Sequence, residues 1–168
     1  MKTKFILITI LLVCCSCAKN LIIENNSLQE AISQIWYDAT LAQSMLEKVD
    51  MSTLSEYEQH RYRLAEAHLM LKRELRLPSG SNMDALAEYF DNYGDEASAS
   101  EAYYIQGAYL NWLGKNTQAM QYLKKAEKYP SSSIIRGMTY YKMGRISESE
   151  QLYDIALENY QKALPYLE

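Results

Sequence analysis

One pattern of small residues constrains this chain more than any other. Gly107, Ala119 and Ala126 are spaced by 12 and 7 residues, and Gly144, Ala156 and Ala163 repeat both spacings 37 residues later. Tyr103 and Tyr140 stand four residues before the two glycines. Glycine and alanine put no bulk on a helix face, so a second backbone can approach there while larger neighbours fill the grooves. A spacing used twice means a unit used twice: a pair of helices that buries its apolar face against the next pair.

Composition agrees with helices. Gly (6) and Pro (3) are scarce in 168 residues, and 48% apolar residues suffice for a core. Tyr (15) far outnumbers Phe (2), which suits half-buried surfaces. Helix signals predict seven segments, near 28–49, 55–76, 83–93, 99–113, 116–129, 133–149 and 152–167. Ser27, Ser55 and Ser98 each precede a Glu by three residues, the capping-box spacing. Asn116 is a candidate cap; Gly94, Gly114 and Pro130 are stops. Residues 77–82, LPSGSN, form a breaker cluster. No segment alternates convincingly with period two. Seven helices in short antiparallel succession imply stacked hairpins.

The amino terminus reads differently. Lys2 and Lys4 precede a nine-residue apolar run, Phe5 to Val13, and small residues follow at Cys14, Cys15 and Ser16. That is the layout of a secretory signal. The run falls short of the roughly 20 apolar residues of a membrane-crossing helix; a buried core helix is the alternative. Its end resembles a lipoprotein signal, with Cys17 as the modified residue and Cys15 as the weaker choice. The resemblance implies a signal over 1–16, acyl chains on Cys17 that anchor the protein to a membrane, and a lipidated tether over 17–27. All three cysteines lie in this stretch, which leaves none for a disulfide framework or a cysteine metal site. Ala18, Lys19 and Asn20 lack the acidic run that resembles a surface-export signal, so a periplasm-facing envelope protein is expected.

Residues 101–126, EAYYIQGAYLNWLGKNTQAMQYLKKA, resemble the tetratricopeptide motif. Tyr103 stands at its aromatic position, Gly107 at its small position, Gly114 at the turn, and Ala119, Leu123 and Ala126 at the packing positions of the second helix. The unit from 137 to 168 follows the same plan, with Gln151 in place of the turn glycine and Ser147 in place of the second aromatic. A worn unit with Ala65, Ala67, Ala85 and Tyr89 precedes both. The mature chain also resembles the amino-terminal part of tetratricopeptide lipoproteins and regulators of the Bacteroidetes. The resemblance implies an all-α fold, a tetratricopeptide-like α-α superhelix of about three helical hairpins over 28–168. It further implies a concave groove lined by the first helix of each pair. That places Tyr62, Glu66, Leu69 and Met70 on the groove, then Tyr104, Ala108, Asn111 and Trp112, then Tyr141, Arg145 and Glu148. Tyr104, Asn111, Tyr141 and Arg145 are the foremost anchors; Leu69, Met70 and Trp112 read equally well as core between repeats.

Charge and motifs exclude several classes. Net charge is -4, and the nearest basic run, residues 72–76, holds an acid, so no basic face is available for nucleic acid. His60 and His68 lie eight residues apart on one helix face, with no further histidine to complete a metal site. No serine elbow, phosphate loop or Cys–His pair is present, so neither an enzyme nor a cofactor is expected. The expected partner is a protein or peptide, with the membrane engaged through the lipid. Leu152, Ile155, Leu157, Leu164 and Leu167 make the last helix broadly apolar, so self-association or a partner is expected at that edge. The resulting expectation is a membrane-anchored interaction module related to sensors, or a scaffold lipoprotein of an envelope complex.

Overall fold

The computed structural model describes residues 25–74, 76–77 and 81–168; the signal, Cys17 and most of the tether lie outside them. Among the described residues eight α-helices follow one another: α1 (Asn26–Gln34), α2 (Ala39–Leu46), α3 (Glu56–Lys72), α4 (Met83–Tyr93), α5 (Glu96–Trp112), α6 (Asn116–Lys128), α7 (Ser133–Ser149) and α8 (Tyr153–Leu167). Among the described residues there is no strand, and no helix is long and apolar enough to cross a membrane.

The helices pack mostly in sequence, as in a helical solenoid. α1–α2, α5–α6 and α7–α8 pair closely, each even helix leans on the odd helix that follows, and odd helices also touch one another. Small residues make the closest approaches. A Cβ built on Gly107 would lie 2.8 Å from Leu123 Cγ and 3.1 Å from the Ala119 carbonyl oxygen; one on Gly144 would lie 2.5 Å from the Tyr160 ring. Ala119 and Ala126 are fully buried, and Ala156 and Ala163 nearly so.

The pair α3–α4 solves the problem in another way. Rings fill the space between them: Tyr57 stacks on Tyr93 at 4.6 Å and meets Phe90 edge-on at 6.0 Å, and His60 stacks on Tyr89 at 3.8 Å. Such pairs add about 0.5–1.5 kcal/mol beyond area burial. α3 is also the helix shared by two apolar clusters. Leu64 and Ala67 belong to the main core with Phe90, Ile105 and Leu123. Ala65 and Leu69 belong to a smaller cluster with Leu28, Ile35 and Leu46.

Several helix ends differ from the sequence expectation. The single helix expected over 28–49 is two helices, because Asp38 turns back to cap Thr40 and Leu41 through its carboxylate (3.1 and 2.9 Å). Asn25 rather than Ser27 caps α1. α5 starts one turn early, because Asp95 caps it by accepting from the Ser98 N–H; Ser98 itself is buried inside the helix. Asn116 lies within α6, whose N-cap Lys115 makes no side-chain cap bond. Ser55 does open α3 with a full capping box.

Two turns show why glycine matters. Gly94 and Gly114 end α4 and α5 with φ of +85° and +74°, and the next residue's N–H reaches back five residues, to Phe90 and Leu110, at 2.8 and 2.9 Å. Gln151, 37 residues after Gly114, makes the same turn with φ of +62°, and Leu152 bonds back to Ser147 at 2.9 Å. A side chain in the left-handed region costs about 1–2 kcal/mol. Gln151→Gly should therefore raise stability by about 1 kcal/mol in urea denaturation. Gly107→Val should lower it by about 1–3 kcal/mol, because its bulk meets a backbone carbonyl as well as Leu123.

Glu58 ties the start of α1 to α3. It is 7% exposed, and its carboxylate accepts from the Ser55 hydroxyl (2.7 Å), the Ser55 N–H (2.8 Å) and the Asn25 N–H (2.5 Å). The Ser55 hydroxyl holds this carboxyl below the usual range, burial pulls the other way, and the two N–H groups add to the lowering. A depressed folded value stabilises above the usual carboxylate pKa and is lost as pH falls through the depressed one. The stability of the wild-type chain should therefore fall more steeply from about pH 5 to pH 3 than that of Glu58→Gln, read as denaturation midpoint against pH.

Candidate functional site

The odd helices leave a cleft of about 550 Å³ between α1, α3, α5 and α7. α3 faces it with Tyr57, Arg61 and His68, residues four and seven apart along one stripe of the helix. α5 and its N-cap contribute Asp95, Ser98 and Glu101, and the turn after α1 contributes Trp36. Ile134 and Ile135 of α7 add apolar wall.

The polar groups are mostly engaged. The Asp95 carboxylate accepts from the Tyr57 hydroxyl at 2.9 Å while it caps α5. Arg61 donates through one terminal nitrogen to the Ser98 hydroxyl. His68, 1% exposed, sets Nδ1 2.5 Å from Glu101 Oε1. Trp36 stands edge-on to the His68 ring at 4.6 Å, and Lys72 lies 4.8 Å over Trp36 and donates to its carbonyl at 3.0 Å. Two buried nitrogens in the cleft have no partner among the described residues, Arg61 Nε and His68 Nε2. An unpaired buried donor or acceptor costs about 1–3 kcal/mol.

The expected groove residues do not converge on this cleft. Tyr62, Glu66, Leu69 and Met70 line a smaller pocket of about 190 Å³ between α2 and α3. Burial first, then the carboxylates of Glu66 and Glu47, raises the Tyr62 hydroxyl pKa. On α3 the expected residues 62, 66, 69 and 70 share that pocket, and Tyr57, Arg61 and His68 line the cleft. Tyr104 is also corrected. It is 2% exposed, packed against Trp36 and His68, and offers no free surface to a guest. Burial, helped by Glu101, pushes its hydroxyl pKa strongly upward. Ala108 is likewise buried.

Asn111 is half-buried and donates to the Asn116 side chain at 3.1 Å across the α5–α6 turn. Trp112 is exposed and stacked on Tyr109 at 5.8 Å. Tyr141 and Arg145 do meet. Arg145 donates to the Tyr141 hydroxyl at 3.3 Å and pairs with Glu148 at 3.6 Å, in an exposed cluster completed by Tyr160. Burial and the Glu148 carboxylate push the Tyr160 hydroxyl up to about 12.

Arg61, His68 and Trp36 were not among the sequence-predicted groove residues. No group of three or more His, Cys, Asp or Glu that could hold a metal occurs among the described residues. Comparison of the chain with protein-family models, with curated proteins and with solved structures finds no match.

Tyr104 and Tyr141 are 37 residues apart and occupy equivalent places, yet only Tyr104 is covered. Tyr104→Ala should cost about 3–5 kcal/mol. Tyr141→Ala should cost about 1 kcal/mol, since its ring keeps partial access to water. Thermal melts of the two single variants check the contrast.

Proposed function

We propose that this chain is a tetratricopeptide-type lipoprotein of the bacterial envelope that holds a protein or peptide partner in the cleft between its odd helices. The observation that carries the reading is that cleft: four helices bound about 550 Å³, with an aromatic side, an apolar side and side chains that can give and take hydrogen bonds. Pockets of about 300–1,000 Å³ with a few placed polar groups are the usual scale of binding sites. The tetratricopeptide assignment draws on the matched spacings around Gly107 and Gly144 and on the sequential packing of hairpins. The anchor draws on the apolar run that ends at Cys17. Kinship with periplasm-facing sensors of the Bacteroidetes draws on sequence texture alone.

A scaffold or assembly-factor lipoprotein is the second reading. Its support is α8, where Ile155, Leu157 and Leu164 are about half exposed (48%, 57% and 58%). Apolar surface of this kind marks interaction faces.

Selection of a random peptide library on the full chain tests the first reading. Selected peptides should lose at least tenfold in affinity to an Arg61→Ala or Trp36→Ala variant that still melts cooperatively. Peptides that bind both variants as tightly as wild type would move the site elsewhere. The anchor has its own check. In cells of the source group, Cys17→Ala should shift the protein from the membrane pellet to the soluble fraction.

A further inference from the structure

We propose that the pocket between α2 and α3 takes a primary ammonium on an unbranched alkyl stem, the chemistry shared by a lysine side chain and a small free amine. This site lies apart from the cleft and goes beyond the capture reading.

The lining sorts by chemistry. Leu46 and Leu69, both buried, and the half-buried Met70 make an apolar floor. Tyr62, half-buried, adds an aromatic wall. Glu47 and Glu66 supply carboxylates, and Arg73 is the only cation among the lining residues. The volume of about 190 Å³ selects a small group. A water takes about 30 Å³ in the liquid, so the space admits about six heavy atoms with their hydrogens. The four methylenes and the ammonium of a lysine side chain fit that room. Pockets for drug-sized guests begin at about 300 Å³.

Glu66 is the feature that points to a guest. It is half-buried in a pocket with an apolar floor, and among the described residues no cation lies within ion-pair reach of it. Glu47 accepts one hydrogen bond from Gln43 at 2.7 Å and likewise has no ion pair there. Both carboxylates act on one place: after burial, Glu66 and then Glu47 raise the Tyr62 hydroxyl pKa. An ammonium at that end of the pocket would be drawn by two carboxylates and by the aromatic ring. Its alkyl stem would cover Leu46, Leu69 and Met70, as long cationic side chains cover apolar surface elsewhere.

Arg73 sets the polarity of the guest. It stands seven residues after Glu66, about 10 Å further along α3. A guest with a second ammonium at the far end of its stem would meet a like charge there, whereas one that ends in a carboxylate would meet an opposite one.

The wild-type chain with ¹³C-labelled methionine methyls tests the proposal, since Met70 lines the pocket. ε-Aminocaproate should shift the Met70 methyl resonance saturably, hexylamine should bind more weakly, and hexamethylenediamine most weakly of the three. Hexanol, the uncharged counterpart, should leave the resonance in place at the same concentrations. Glu66→Gln should weaken ε-aminocaproate about tenfold. Nα-Acetyllysine methylamide separates the two sources. If it binds as tightly as ε-aminocaproate, the guest is a lysine of a protein; if only ε-aminocaproate binds, it is a free amine. An unmoved Met70 signal with every ammonium probe, or hexanol binding as tightly as hexylamine, overturns the proposal without any variant having to fold. Equal affinity of wild type and a cooperatively melting Glu66→Gln also overturns it. A diamine that binds more tightly than ε-aminocaproate overturns the part given to Arg73. None of these results bears on peptide capture in the cleft.

Discussion

The fold depends on how near two helix axes can come. At Gly107 and Gly144 the facing helix occupies the space where a side chain would begin, and buried alanines on that helix keep the approach short. This closeness fixes the tilt of the α5–α6 and α7–α8 hairpins and so the line of α5 and α7. Everything the cleft offers follows from that line: the ends of α1, α5 and α7 are brought around the stripe of α3 that carries Tyr57, Arg61 and His68. Dispersion and burial then act over the whole seam, with Leu123 and Ile105 sealed from water, each contributing about 1.5–3 kcal/mol.

Not every hairpin uses the device. Between α3 and α4 the rings of Tyr57, His60, Tyr89, Phe90 and Tyr93 take the place of small residues. Rings set a wider separation and let the pair carry a polar edge: the Tyr57 hydroxyl reaches Asp95, which in turn caps α5. The irregular repeat therefore contributes the chemistry of the cleft, and the regular repeats contribute its frame.

The frame was legible in the sequence and the chemistry largely was not. Matched spacings at 107/119/126 and 144/156/163 gave the last two hairpins, because close approach leaves a mark on residue size. Ser55 with Glu58 and the glycine at 94 marked real helix ends. Local signals misled where two caps competed: Ser98 has a good pattern, but Asp95 lies three residues upstream and Ser98 is needed by Arg61. The site slipped for a related reason. α3 carries alanines at 65 and 67, and each faces a different cluster, so sequence alone left its rotation ambiguous by two residues. Tyr104 and Tyr141 show the other limit. Their local sequences match, and the packing of Trp36 and His68 against one of them makes it inaccessible.

The double membership of α3 has a dynamic consequence. A row of equivalent repeats holds only nearest-neighbour interfaces and can unzip from either end. Here Leu64 and Ala67 bind α3 into one apolar cluster while Ala65 and Leu69 bind it into the other. Amide protons of α3 should thus be the slowest to exchange, with α2 and α8 opening independently around it as smaller foldons. A guest resting on the stripe of α3 would sit on the stillest part of the molecule and lose little to its motion.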